Sequence, residues 1–202
     1  MAAANTTQGA GAWVALGEET TEGTSVTPDI FAAFRTETLK LVAPREGVEP
    51  NGMPGGAIPT QRDTFVKEER VEGDLVTTAR FDDQLTLILL KHLFGSVTTG
   101  GAGPYTYTYT PTRAVPTKPS ITVELVRGTG GSGIDRAETF AGCRVARLQL
   151  KVTTGGVVEC TWGILGISSE GLAAPTSATF ETGRTVILHN HATNFSFNGS
   201  QM

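Results

Sequence analysis

Along most of this chain apolar and polar residues alternate with a period of two, and in one stretch the period becomes that of a helix. Between Arg80 and Gly95 the residues Phe81, Leu85, Ile88, Leu89 and His92 recur at helical spacing, while Leu87, Leu90, Leu93 and Phe94 broaden the apolar side. Asp82 and Asp83 fall in the expected first turn, and Lys91 and His92 in the last, each charge complementing the dipole end it meets. Gly95 supplies a left-handed stop. The spacing predicts one α-helix over 81–94. So wide an apolar stripe needs a sheet or a partner subunit to cover it.

The other segments read as strand, turn or loop. Trp13 to Gly17 is a short apolar strand, and Glu18 to Ser25 is rich in turn residues. Residues 30–34 fit either a strand or a single helical turn, and Arg35 to Val42 alternates as a strand. Val66 to Thr78 places Arg70, Glu72 and Asp74 on one face and Val71 and Leu75 on the other, as in a half-buried strand. Thr98 to Pro104 reads as a plain connector. Tyr105 to Thr110 then sets three tyrosines against three threonines. Ile121, Val123 and Leu125 share one face, opposite Thr122 and Glu124.

The clearest hairpin spans 144–165. Ala146, Leu148, Leu150 and Val152 point one way, and Arg147, Gln149 and Lys151 the other. Thr153-Thr154-Gly155-Gly156 makes the turn, and Val158, Cys160, Trp162 and Ile164 form the returning apolar face. Pairing 152 with 158 sets Leu150 opposite Cys160, Leu148 opposite Trp162 and Lys151 opposite Glu159; a slip of one residue would destroy the match. Gly128 to Gly133 is a glycine-rich loop and Ser168 to Ser177 a small polar linker. Thr185 to Leu188 and Phe195 to Phe197 are short strand-like pieces.

One interruption is long. Residues 43–65 hold four prolines (Pro44, Pro50, Pro54, Pro59) and four glycines with few strong apolar positions. A loop beyond about 12–15 residues in a compact domain is usually functional or disordered. The pattern as a whole predicts a mainly β fold. It has an antiparallel β-sandwich or barrel-like core, one flanking helix over 81–94 and a long loop over 43–65. Residues 1–12 are expected to be a mobile arm, 13–167 the core, and 168–202 a linker with terminal strands. The stop at Met202 leaves room for a further C-terminal region.

Composition narrows the function. A chain of 202 residues suits one domain and can bury a proper core. A formal charge of −4 and a pI near 5.4 give no support to a surface that grips nucleic acid. No apolar run approaches the roughly 20 residues needed to span a bilayer. The start, Met1-Ala2-Ala3-Ala4-Asn5, lacks the basic and apolar parts of a secretion signal, so synthesis in a cytoplasm is expected.

Catalytic chemistry finds few residues. His92 on the apolar helix reads as a partly buried, dipole-complementing side chain rather than a base. His189 and His191 share a strand face at a spacing that can hold metal, but no acid or thiol lies near them in sequence. Cys143 and Cys160 are out of register for a bridge and read as buried thiols. The glycine pairs do not sit between a strand and a helix as a phosphate loop requires. Neither an enzyme nor a cofactor or metal site is expected.

The order of pieces carries a resemblance. The signatures are Trp13-Val14-Ala15-Leu16-Gly17-Glu18-Glu19-Thr20 with Gly23-Thr24, Arg35-Thr36-Glu37-Thr38-Leu39, and Val71-Glu72-Gly73-Asp74-Leu75 ahead of the helix. After it come Lys118-Pro119-Ser120-Ile121-Thr122-Val123-Glu124, Phe140-Ala141-Gly142-Cys143-Arg144-Val145 and Val158-Glu159-Cys160-Thr161-Trp162-Gly163-Ile164-Leu165-Gly166. This collinear set, over roughly 13–166, resembles the major tail tube protein of long-tailed, non-contractile bacteriophages. The resemblance implies a virion protein assembled in the host cytoplasm. Its subunits would form homohexameric rings stacked into a hollow tube, with other tail proteins at the ends. Genomic DNA would pass through the lumen without specific binding. Loop 43–65 would reach the neighbouring ring, with Arg45, Glu46, Glu49, Asn51, Met53 and Arg62 as contact residues. One polar strand face would line the channel, net acidic or neutral, and its candidates are Glu72, Asp74, Glu124 and Glu159, with Arg70, Arg147 and Lys151 on the same polar faces.

A second reading belongs to another class. A secreted or surface β-sandwich binding module, carbohydrate-binding or adhesin-like, would use Trp13, Tyr105, Tyr107 and Tyr109 as a stacking surface.

Overall fold

The computed structural model describes residues 12–33, 39–42, 45–48, 65–80, 83–102, 105–112, 118–127, 136–180, 196–197 and 200–201. The first six strands are β1 (Trp13–Glu19), β2 (Ile30–Ala33), β3 (Leu39–Val42), β4 (Arg45–Val48), β5 (Phe65–Glu69) and β6 (Val71–Thr78). After the helix α1 (Gln84–Phe94) come β7 (Val97–Gly100), β8 (Thr106–Tyr109), β9 (Ser120–Arg127), β10 (Arg136–Val152), β11 (Val158–Gly166), β12 (Ser168–Ala173), β13 (Ser196–Phe197) and β14 (Ser200–Gln201). Every strand pairing among the described residues is antiparallel, with one helix, as the sequence pattern predicts.

The 17-residue β10 is the spine. Its first half lies between β9 and β12 in a sheet that continues through β1 to β2. Its second half pairs with β11 in a sheet that continues through β6 to β3. The changeover falls at Gly142, whose φ of +67° is left-handed. A Cβ there would also meet Ile167 at 2.6–2.9 Å, so glycine is required on two counts. A register shift between Val145 and Arg147 completes the bend.

A buried carboxylate fixes this corner. Glu19, at the end of β1, has no exposed surface and accepts four hydrogen bonds. They come from Gly23 N (2.9 Å), Ser120 Oγ (2.5 Å), Thr122 Oγ1 (2.9 Å) and Gly142 N (2.9 Å). A buried charge costs several kcal/mol unless its lone pairs are satisfied, as these are.

The core gathers Val14 and Leu16 of β1, Val71 and Leu75 of β6, Phe140 and Cys143 of β10, and Trp162 and Ile164 of β11 around Leu85, Ile88 and Leu89 of α1. Trp162 is fully buried and its indole donates to Thr77 Oγ1 at 3.0 Å. The helix starts later than its periodicity suggests. Asp83 is its N-cap, accepting from Thr86 N and Thr86 Oγ1, rather than a first-turn charge, because its backbone is extended. Phe81 and Asp82 lie outside the described residues. Gly95 closes the helix in the left-handed conformation, its N–H on Lys91 O. Lys91 Nζ (2.6 Å) and His92 Nε2 (3.2 Å) both meet Glu18 Oε1 of β1, tying the helix end to the first sheet. The His92 side chain is 4% exposed, more deeply buried than the sequence pattern suggests.

The hairpin register is the one the sequence specifies: Val152 opposite Val158, Leu150 opposite Cys160, Leu148 opposite Trp162 and Lys151 opposite Glu159. Two expectations about it change. Ala146 sits at the bulge and is exposed instead of joining the apolar face. Leu150 and Val152 keep the predicted side but are 50% and 41% exposed, because the hairpin runs past the core.

Other segments differ for identifiable reasons. The expected loop 43–65 begins and ends as strand, since β4 and β5 form a two-stranded ladder; residues 49–64 lie outside the described residues. The expected connector after the helix contains β7, which pairs with the tyrosine strand β8. The expected linker 168–177 opens with β12, hydrogen-bonded to β10. Thr122 and Glu124, on the face opposite Ile121, Val123 and Leu125, are buried as well. The first sheet is covered on that side by the loop after β1, where Val26 N donates to Thr122 Oγ1, and by residues 174–180, where Thr176 holds Glu124.

Two outcomes are expected. Trp162→Ala costs roughly 3–5 kcal/mol, read from urea midpoints, because it empties the largest buried side chain; a near-native midpoint would contradict the assigned face. The acid response follows from Glu18. The hydrogen bond from His92, then Lys91, holds its carboxyl near 2 against an ordinary 4.5, overcoming burial, which pushes it up. A folded pKa below the unfolded one means stability present above about 4.5 and lost as pH falls towards 2. The increment is on the order of 2–3 kcal/mol. Glu18→Gln should remove it, flattening the melting temperature of the variant relative to the parent across that window.

Candidate functional site: the charged outer face of the second sheet

Alternation on β6, β10 and β11 turns Val71, Leu75, Leu148, Cys160 and Trp162 towards the core and the intervening residues outward. The outward set includes Glu72 and Asp74 on β6, Arg147, Gln149 and Lys151 on β10, and Glu159 and Thr161 on β11. Three of the four acids expected on a channel wall therefore share one face. Glu124 does not: it is 4% exposed, with Thr176 N on Oε1 (3.0 Å) and Thr176 Oγ1 on Oε2 (2.9 Å). Its carboxylate is spent inside the molecule and presents no charge to a surface.

Each of the three acids is paired. Arg147, Gly163 and Asp74 lie in one row across β10, β11 and β6. A Cβ on Gly163 would come within 2.5 Å of Arg147 Cγ, so the arginine lies across the bare glycine. Its Nη2 then sits 2.8 Å from both carboxylate oxygens of Asp74. Arg70 Nη2 lies 3.0 Å from Glu72 Oε2, and Lys151 Nζ 3.5 Å from Glu159 Oε2. A fourth cation nearby, Arg144, meets Glu22 at 2.7 Å. The register also sets Lys40 of β3 beside Asp74. A shallow cleft of about 600 Å³ opens here, between the Ala146 bulge, Gly163, Leu165 and the Asp74–Arg147 pair. Exposed Leu165 (40%) lines the cleft.

The remaining candidates are scattered. Arg45 and Glu46 lie in β4, opposite Glu69 and Glu68. Glu49, Asn51, Met53 and Arg62 lie outside the described residues, as do His189 and His191. Trp13 and Tyr109 have separate aromatic partners. Trp13 packs edge-on against Phe31 (5.7 Å) and Phe180 (6.1 Å), whereas Tyr109 of β8 packs against Phe94 of the helix at 6.0 Å. Tyr105 is 61% exposed. Among the described residues no three His, Cys, Asp or Glu side chains converge as a metal site, and no helix is long and apolar enough to cross a membrane. Cys143 and Cys160 are buried free thiols. Burial, then the nearby Glu19, pushes Cys143 up to about 12; burial, then Asp83, pushes Cys160 up to about 11. Both stay protonated at neutral pH, and the thiolate is the nucleophile.

The sequence pattern already sets Lys151 opposite Glu159, as found, but leaves the Arg70–Glu72 and Asp74–Arg147 pairs unread. For the latter pair Gly163 was the available signal: a glycine inside an otherwise bulky strand marks a close approach.

A family model described as "Phage tail tube protein" matches residues 9–201. A chain of the solved cryo-EM structure of the anti-feeding prophage (AFP) baseplate, 6-fold symmetrised, is similar at 11% sequence identity and a TM-score of 0.43. The likeness covers 82% of this chain and 94% of that one. No curated protein matches this sequence.

Proposed function

The chain belongs to the phage tail tube protein family, and we propose that it is the repeating wall subunit of a non-contractile tail. In this reading six copies close a ring, rings stack into a hollow tube, other tail proteins close its ends, and genomic DNA passes through the lumen. Assembly takes place in the host cytoplasm. The observation that carries the reading is the open sheet. Among the described residues β2 and β3 end it, each strand-paired on one side only. Unpaired edges are a liability for a solitary subunit and an opportunity for a neighbour. Heterologous contacts between identical copies close rings or propagate stacks. The exposed apolar residues at the hairpin end, Leu150, Val152 and Val157, also suit burial against another copy.

Contact between rings is assigned to the segment around 43–65, through Arg45, Glu46, Glu49, Asn51, Met53 and Arg62. The outer face bearing Glu72, Asp74 and Glu159 is assigned to the lumen. Its acids do not bind DNA specifically, and the family membership calls for no catalytic group.

Electron microscopy of the purified protein tests the assembly. Rings or tubes are expected, and monodisperse monomers would favour the binding-module reading instead. Deleting 49–58, which spares the β4–β5 ladder, is expected to leave a soluble protein with an unchanged melting temperature that no longer stacks. Normal tubes from that variant would remove the segment from the ring-to-ring contact.

A further inference from the structure

We infer that the outer face of the β10–β11–β6 sheet is a masked-cation surface, built to lie against duplex DNA without holding it. This rests on the tube reading for its location and on the ion pairs for its chemistry.

The pairs do little for stability. Their side chains are 42–68% exposed, and exposed pairs contribute about 0–1 kcal/mol each. Their arrangement is nonetheless costly in sequence terms. Arg147 reaches Asp74 only because position 163 has no side chain, and Lys151 and Glu159 occupy directly opposed positions. The common result is electrostatic: Arg70, Arg147 and Lys151 each carry a carboxylate within 3.5 Å. A cation already neutralised by a fixed carboxylate releases few counterions from DNA on contact, and counterion release is what drives non-specific DNA binding. The face thus keeps long, hydrated side chains towards a polyanion while withholding the attraction that would stall it.

The test unmasks the cations. The triple variant Glu72→Gln, Asp74→Asn, Glu159→Gln is compared with a charge-matched variant altered off this face, Asp29→Asn, Glu138→Gln, Glu170→Gln. The probe is a short fluorescent duplex DNA followed by anisotropy across a salt series. The parent chain and the charge-matched variant are expected to bind weakly and alike. The face variant is expected to bind with a log–log salt slope steeper by about 2.7, or about forty-fold between roughly 50 and 200 mM salt. Equal binding by the two variants, or no gain in the face variant, overturns the inference.

Location is read separately from Gln149→Cys on the same face, with Cys143 and Cys160 buried and protonated as internal controls. In assembled tubes a small maleimide should label it and a bulky one should not. Labelling by both puts the face outside and overturns its contact with DNA while leaving the tube intact. If no tubes form, the proposed function fails, and the soluble binding comparison still decides the masking.

Discussion

The carboxylate of Glu19 holds the corner on which the rest of the molecule turns. It joins the end of β1, the turn at Gly23, two hydroxyls of β9 and the backbone of Gly142, where β10 leaves one sheet for the other. Without that anchor the left-handed Gly142 and the adjoining bulge would lack a fixed partner. The orientation of the second sheet relative to the first would then rest on the continuous β10 backbone, the Arg144–Glu22 contact and apolar packing. Apolar packing is non-directional, whereas four hydrogen bonds to one carboxylate fix both distance and angle. The outer face with its ion pairs inherits its direction from this corner.

Much of the architecture was legible because it is written in period two. The hairpin 144–165 has one register that buries both apolar sets, so Leu148 and Trp162 could be paired from sequence alone, and they are. The helix was legible too, with its end at Gly95 and its basic last turn. Its start was not, since Asp82 and Asp83 resemble first-turn charges, and only the extended backbone of Asp83 reveals a cap.

The failures share a cause. Alternation reports which face is apolar, not whether the polar face meets water. Thr122 and Glu124 alternate like solvated residues, yet the loop after β1 and residues 174–180 cover them and supply their hydrogen bonds. Glu19 was hidden in the same way, beside Glu18 in a run that reads as an exposed turn. The two neighbours in fact point to opposite sides of β1, one into the corner and one onto the helix end. Side chains that are polar because they serve another segment cannot be told from wet ones until that segment is placed.

The same distinction governs the candidate wall. Composition suggested repulsion by an acidic excess, since the chain carries a net charge of −4. The fold redistributes it: Glu72, Asp74 and Glu159 are matched one for one by Arg70, Arg147 and Lys151, the first pair along the chain and the other two across strands. The net charge is therefore carried entirely by the rest of the chain. The two arrangements respond differently to their surroundings. Repulsion from an excess fades as salt shortens the Debye length below about 8–10 Å. A cation within 3.5 Å of its carboxylate interacts at a range inside that length, so its masking falls off with salt less steeply than repulsion across a channel does. In the proposed reading a face built of such pairs attracts DNA less than its cations alone would, and strand register supplies two of the three by bringing Asp74 and Glu159 within reach of Arg147 and Lys151.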